Sequence, residues 1–221
     1  HNQGVVQQKP RYLKVEGCDV HIRFEEALDI LAKVRNRMTN SFESYVSIQK
    51  PFGLRTFVHG KNKPFANSVK LYENGGVGYI SRNEVEKNDT LIDKYKIFIS
   101  RAYNAGDGFP HQILGKPIIG EPASCCTETY ILIGPYEERD ICLNVENYIR
   151  SRFFRFMVML KKSSQQVPST VFTLVPNQDF TAQSDINWSK SISEIDQQLY
   201  RKYNLSEDEI NFIEKMIKPM E

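Results

Sequence analysis

The spacing of apolar residues changes twice along the chain, and each change predicts a different kind of element. In residues 24–35 apolar side chains recur every three or four positions, which is the pattern of one helical face. Between residues 65 and 136 short runs alternate apolar and polar side chains, as half-buried strands do. Helical spacing returns in residues 138–162. We therefore expect a helix, then a β-rich module with long loops, then a second and longer helix.

The clearest turn signal in the β-rich module is Asn74 with the two glycines that follow it, between two short β-prone runs. Asn-Gly favours the tight turn of a two-residue hairpin, because both residues tolerate a left-handed backbone. We expect a hairpin at this point, further strands at 92–100, 127–136 and 169–176, and a short strand before this module at 12–15.

Apolar residues cover more than one face of the 138–162 helix. A helix with a broad apolar surface is buried on more than one side, so we expect it to form part of the core. Its arginines Arg150, Arg152 and Arg155 are expected to pack their stems and keep their charged heads at the boundary of the core. The main stripe consists of Ile141, Val145, Tyr148, Ile149, Phe153, Phe156 and Leu160, and Phe154, Met157 and Val158 widen it.

Two capping boxes predict two short helices near the C-terminus. Ser191 stands three residues before Glu194, and Ser206 three residues before Glu209. In this motif the serine side chain accepts from an amide of the first turn, while the Glu side chain accepts from the serine amide. The elements together predict an α+β fold. It would be a twisted, mostly antiparallel sheet with long loops, backed by the long helix and a C-terminal helical tail.

Composition restricts the class of protein. The chain has 221 residues, of which 40% are hydrophobic and 25% charged, as is ordinary for a globular protein. No apolar run approaches the about 20 residues that a membrane span needs, and we expect no signal peptide. Cys18, Cys125, Cys126 and Cys142 lack the spacing of a zinc site, so we expect reduced thiols in a cytoplasmic protein with no metal.

Local charge is more informative than the net charge of +2. Residues 49–64, QKPFGLRTFVHGKNKP, contain no acidic residue, and we call them the basic loop. We expect this loop to bind DNA, because lysine and arginine interleaved with aromatic residues suit phosphate and stacking contacts. Its candidate contacts are Lys50, Arg55, Lys61 and Lys63. Two alternatives are a solvated connection and, for Arg55, an ion pair that holds the loop to the sheet.

Residues 100–112, SRAYNAGDGFPHQ, form a second candidate DNA-binding segment, the second loop. Asn, Gln and Arg carry donors and acceptors that match the edges of bases in the major groove. The candidate residues are Arg101, Asn104, His111 and Gln112.

Catalytic signatures are missing from the sequence. No glycine-rich nucleotide-binding motif occurs, and the four histidines, His1, His21, His59 and His111, are widely scattered. A metal-dependent nuclease needs clustered carboxylates near a lysine, and Asp107 and Glu121 match that pattern poorly. We therefore expect no catalytic residue in this chain.

The order of several segments resembles the TaqI-like C-terminal specificity domain of restriction-modification adenine methyltransferases of types II and IIG. The similarity covers most of residues 40–221. Its segments are VKLYENGGVGYISRNEV, IDKYKIFISRA, IIGEPASCCTETYILIG, RSRFFRFMVMLKK, VPNQDF and SEIDQQLYRKYNLSEDEINFIEKMIKPM.

The resemblance implies a bacterial parent protein that methylates the exocyclic amino group of adenine, using S-adenosylmethionine and flipping the target base. Whether the parent also cleaves DNA stays open. This chain has no Asn-Pro-Pro-Tyr motif, so we expect the DNA-reading part alone, which is not an enzyme and binds no cofactor. Its expected partners are double-stranded DNA and the catalytic domain of the same parent chain.

The resemblance also suggests a division of the chain. Residues 1–40 would connect to the missing catalytic domain, 41–190 would be the target recognition domain, and 191–221 a helical tail packed on it. Two alternative functions remain at this point. One is a protein-interaction domain that docks a partner through its apolar 153–160 segment, and the other is an unrecognised metal-dependent nuclease.

Overall fold

The computed structural model describes residues 24–47, 49–103 and 108–220, and within them it confirms the α+β class. The strand expected at 12–15, together with Cys18, His1 and His21, lies outside the described residues. The helices are α1 (Glu25–Arg37), α2 (Arg139–Arg150), α3 (Arg152–Met159), α4 (Ile192–Lys202) and α5 (Glu207–Met216). The strands are β1 (Ser68–Glu73), β2 (Gly76–Ser81), β3 (Tyr95–Ser100), β4 (Ile118–Gly120), β5 (Ser124–Cys126) and β6 (Tyr130–Tyr136).

The strands form two three-stranded sheets instead of the single sheet expected from the sequence. The first has the order β2-β1-β5, with β1 antiparallel to β2 and parallel to β5. The second has the order β4-β3-β6 and is antiparallel throughout. The alternation of side chains marks each strand but not its partners, so the sequence could not separate the two sheets.

The predicted hairpin is confirmed. Strands β1 and β2 pair up to Glu73 and Gly76, which leaves Asn74 and Gly75 as a two-residue turn. Gly75 has φ of +85°, a conformation that costs glycine little because it has no Cβ atom. The hairpin follows from a turn encoded by two neighbouring residues.

The second sheet is buried on both faces, with the helices on one side and the first sheet on the other. Ile97 and Ile99 of β3 belong to the large helical core, whereas Phe98 between them belongs to the smaller core under the first sheet. Leu132 of β6 lies with Phe98 in the smaller core. Successive side chains of a strand point to opposite faces, so one short strand contributes to both cores.

The long helix predicted at 138–162 is broken at Ser151 into α2 and α3. Ser151 has an extended backbone, with φ of −60° and ψ of 148°. Its hydroxyl donates to the carbonyl of Tyr148 at 2.7 Å and accepts from the amide of Phe154 at 3.1 Å. Serine is a favoured N-cap because this second bond satisfies an amide that the helix leaves without a partner. The prediction of one continuous helix was wrong. The apolar stripe continues across the break, so the spacing of apolar residues does not reveal where α2 ends.

Two charged side chains bond the backbone groups that this break leaves at the ends of α2 and α3. We call the break together with these side chains the Ser151 joint. The Asp196 carboxylate of α4 accepts from the amides of Arg152 and Phe153 at 3.0 and 2.9 Å, at the positive end of α3. The Arg155 guanidinium donates to the carbonyls of Arg150 and Ser151, at the negative end of α2. Burial raises the pKa of Asp196 to about 6 and lowers that of Arg155 to about 10.

Arg155 corrects one expectation from the sequence. Its side chain is fully buried instead of reaching the boundary of the core, because the backbone carbonyls at the joint supply its hydrogen-bond acceptors. The side chains of Arg150 and Arg152 are each about one-fifth exposed, as expected for boundary positions.

The core position predicted for the long helix is confirmed, since Phe156 and most of the stripe are buried. Phe153 also stacks on Tyr203, with ring centroids 5.0 Å apart. The 153–160 segment is therefore covered by its own chain, and it leaves no broad apolar face on which a partner helix could dock.

Predictions for the C-terminal half have mixed outcomes. Both capping boxes are present, at Ser191 with Glu194 and at Ser206 with Glu209. The strand expected at 169–176 is wrong, because Ser169–Phe172 is a 3-10 helix that follows Pro168. A short apolar run does not distinguish a buried strand from another buried segment.

Among the described residues, no helix combines the length and apolar character needed to cross a membrane.

A lysine lies in the smaller core. The Lys96 ammonium is fully buried and donates to the carbonyls of Leu91, Ile92 and Lys94 at 3.0, 2.8 and 2.8 Å. Burial lowers its pKa to about 8, and the nearby Cys125 thiol opposes that shift. Lys96 thus closes the turn that leads into β3. The carbonyls of Leu91 and Ile92 also accept the amides of Lys94 and Ser124, both at 3.3 Å, so the ammonium adds a second donor to each.

We predict that Asp196→Asn destabilises the protein by about 1–3 kcal/mol, the typical cost of leaving a buried polar group unsatisfied. Both carboxylate oxygens accept an amide, and asparagine offers only one oxygen for the two. Chemical denaturation measures the loss, with Asp29→Asn as the control, since Asp29 is exposed and lies beyond the first turn of α1; that variant is expected within about 0.5 kcal/mol of wild type. Equal stability of the two variants would contradict this role of Asp196.

We predict that Lys96 makes stability rise with pH. Its pKa of about 8 in the folded chain lies below the 10.5 of an ordinary lysine, so between these values the unfolded chain binds more protons. The free energy of unfolding of wild type relative to Lys96→Met should therefore increase between about pH 7 and pH 10. The comparison cancels the thiols, whose raised pKa values act in the opposite direction. A constant difference across this range would refute the prediction.

Candidate nucleic-acid interface

The basic loop lies along the outer edge of β2, the edge strand of the first sheet. The amide of Lys61 donates to the carbonyl of Tyr79 at 2.8 Å, and the amide of Tyr79 donates to the carbonyl of Lys61 at 2.9 Å. This pair of bonds is one step of an antiparallel ladder. The loop is therefore attached to the sheet at its cationic end.

Two glycines allow this attachment. A Cβ atom on Gly60 would lie 2.3 Å from the nitrogen of Tyr79, and one on Gly78 would lie 2.6 Å from the Cα atom of Gly60. Both distances are far shorter than van der Waals contact, so the two backbones approach as closely as they do only because neither residue has a side chain.

Two carboxylates hold the loop from beneath. The Glu73 carboxylate of β1 accepts from the amide of Gly60 and contacts Nδ1 of His59, both at 3.0 Å. Glu128 accepts from the amide of Thr56 at 3.3 Å and lies 3.6 Å from the ammonium of Lys50. Lys50, a candidate DNA contact, thus already has an acidic neighbour. The loop as a whole is fixed to the protein at several points.

The remaining cations of the loop point into solvent. Arg55, Lys61 and Lys63 are exposed, and the Lys61 ammonium lies over the ring of Phe65 at 4.5 Å from its centroid. Among the residues that the structure describes, Arg55 has no acidic partner, so the alternative of an ion pair that holds the loop finds no support there.

Phe57 was not among the residues selected from the sequence. Its side chain is 77% exposed, whereas Phe52 of the same loop is fully buried. An exposed aromatic ring between cations suits stacking on a base. The sequence shows three phenylalanines near these cations but not which of them reach the solvent, because that depends on packing against β1 and β2.

The candidates of the second loop separate into two groups. Arg101 is half-buried and lies beside Gln49, the first residue of the basic loop. His111 is bound to the C-terminal tail, since its amide donates to Met216 and its carbonyl accepts from Lys218, both at 2.8 Å.

Gln112 belongs with His111. Its amide side chain donates to the carbonyl of Leu114 at 3.2 Å, and its own carbonyl accepts from Arg155 of the Ser151 joint at 3.2 Å. Asn104 and Asp107 lie outside the described residues. The structure therefore brings Arg101 to the basic loop and ties His111 and Gln112 to the protein's own framework.

Other reactive groups do not form a second site in the described residues. No group of three or more His, Cys, Asp or Glu side chains there could hold a metal ion. Cys125, Cys126 and Cys142 are free thiols, as expected, and all three are buried. Burial raises the pKa of Cys125 and of Cys142 to about 12, so neither thiol forms a nucleophilic thiolate near neutral pH.

A scan of the chain against protein-family models gives no match, and a search of curated proteins gives none either. Function is therefore inferred from the residues and their geometry.

We predict that Gly78→Ala releases the basic loop from β2, because the new methyl group would collide with Gly60. Tryptic cleavage after Arg55 and Lys61 should become roughly fivefold faster or more, which corresponds to a loss of about 1 kcal/mol in local closing free energy. Gly76→Ala is the matched control in the same strand, where a Cβ atom meets nothing within 4 Å. Similar cleavage rates of both variants would show that the glycine contact does not hold the loop.

Proposed function

We propose that the chain is the target recognition domain of a restriction-modification adenine methyltransferase, and that it binds a specific duplex DNA sequence. The observation that carries the proposal is the basic loop, which is anchored at both ends and presents Arg55, Lys61 and Lys63 to solvent. A loop already held in one conformation loses little conformational entropy on binding. Less of the favourable binding free energy of its cations is therefore offset.

The proposed contacts divide by side-chain chemistry. Lys61 and Lys63 carry compact charges suited to phosphate oxygens, and neutralising phosphates releases counterions from the duplex. Arg55 has a planar fork that can pair with the two acceptors of guanine. Phe57, exposed between these cations, would stack on a base or enter a base step as an apolar wedge.

The identity of the parent enzyme rests on the resemblance in the order of segments. On that basis S-adenosylmethionine binding and methyl transfer belong to a separate catalytic domain of the parent chain. The 221 residues of this chain contribute no catalytic residue. The division at residues 40 and 190 and the type II or IIG class follow from the same resemblance, whereas the cytoplasmic location follows from the cysteine pattern. All three remain predictions.

Neither alternative function is favoured by a specific observation. The protein-interaction alternative relies on docking through 153–160, and that segment is largely buried within the chain. A nuclease would need clustered carboxylates, and the described residues contain no such group able to hold a metal ion.

We predict that replacing Lys61 and Lys63 by alanine weakens binding to all DNA sequences alike. The slope of log affinity against log salt should become shallower by up to about two units, because about 0.9 units are lost for each phosphate contact. Titrations of a labelled duplex at several salt concentrations measure both quantities. The control is the double variant of Lys190 and Lys215, exposed lysines before α4 and on α5, which removes the same charge elsewhere.

Equal effects of the two double variants would mean that net charge alone decides affinity. Unchanged affinity and unchanged slope in the Lys61 and Lys63 variant would remove the basic loop from the interface.

A further inference from the structure

A groove of about 380 Å³ lies at the foot of the basic loop, where three segments of the chain meet beside strand β6. Gln49 belongs to the basic loop, Arg101 follows β3, and Gln166 lies in the segment after α3. Backbone bonds hold two of these segments together: the amide of Val167 donates to the carbonyl of Arg101 at 2.8 Å, and residues 102 and 166 form an antiparallel bridge. The groove is therefore built on a fixed framework.

The floor and the rim of the groove differ in chemistry. Ile131 and Val167, both buried, form an apolar floor. Gln49, Arg101 and Gln166 surround it, the two glutamines being exposed and the arginine half-buried. Within the described residues these three side chains have no hydrogen-bond or ion-pair partner, and no carboxylate lines the groove. Three polar groups thus converge on one opening with their hydrogen-bonding capacity unused.

These side chains match a particular class of ligand. A glutamine amide can donate to N7 of adenine and accept from its N6 amino group. An arginine guanidinium can donate to the O6 and N7 atoms of guanine. An apolar surface suits the methyl group of thymine. Both glutamines are exposed residues, so they are accessible to base edges in the major groove of a duplex.

We propose that this groove reads base edges in duplex DNA, with Arg101 on a guanine and Gln49 and Gln166 on adenines. The inference rests on the proposed function and adds a division of labour to it. The basic loop supplies affinity through phosphates, and the neighbouring groove supplies sequence discrimination. Gln49 and Gln166 become specificity-determining residues.

The test separates discrimination from affinity. The 221-residue chain is used to select duplexes from a randomised library, and the base preferences of wild type are compared with those of Arg101→Lys, Gln49→Ala and Gln166→Ala. Arg101→Lys retains the charge and removes the planar fork, so it should keep the salt slope and lose the preference for guanine at one position. Each glutamine variant should lose the preference for adenine at one position, by about 5- to 150-fold.

Gln165→Ala is the matched control, since Gln165 is exposed and adjacent to Gln166 but does not line the groove. It should leave the selected sequence unchanged. Thermal unfolding of each variant verifies the fold, and three independent variants keep the test decisive if one of them unfolds.

Two results would overturn the inference and leave the proposed function intact. One is an unchanged base preference in all three folded variants. The other is that Arg101→Lys binds as wild type does while Arg101→Ala loses affinity for all sequences alike with a shallower salt slope, which would identify Arg101 as a phosphate contact. A wild-type chain that binds no DNA would instead overturn the proposed function, and the inference with it.

Discussion

The Ser151 joint is the constraint on which the rest of the structure depends, because it places two helix ends inside an apolar core. The amides that begin α3 and the carbonyls that end α2 are buried or partly buried, and an unsatisfied buried group costs about 1–3 kcal/mol. Asp196 supplies the acceptor at one end and Arg155 the donors at the other, each at the pole of the helix dipole that favours its charge. The joint therefore holds α2, α3 and α4 in one arrangement.

The same joint connects the core to the candidate interface. Arg155 also donates to the carbonyl of Gln112, so the second loop ends on the joint, while it begins where β3 leaves the second sheet. That sheet is buried on both faces, and Lys96 donates to carbonyls at the turn before it. The groove around Arg101 thus lies between fixed elements, which is the condition for reading bases at defined positions.

The distribution of charge explains how a nearly neutral chain can present a cationic surface. Elsewhere many cations are paired with acids, as Arg82 is with Asp93 at 2.6 Å and Lys202 with Asp185 at 2.7 Å. The basic loop has no acids of its own, and Glu73 of β1 and Glu128 of the turn before β6 accept from its backbone amides, while Glu86 lies beside Gly53. Its outermost cations therefore remain available to an anionic partner.

Features encoded within a few residues could be predicted from the sequence: the Asn74 and Gly75 hairpin, the serine caps of α4 and α5, and the apolar stripe of α2 and α3. Each depends on turn chemistry or on helical spacing, which act over short distances along the chain. The split into two sheets, the burial of Arg155, the exposure of Phe57 and the groove that unites three separate segments were decided only by the tertiary structure. The physical reason is that burial and hydrogen-bond partners come from distant residues, as when Asp196 caps a helix that begins more than 40 residues before it.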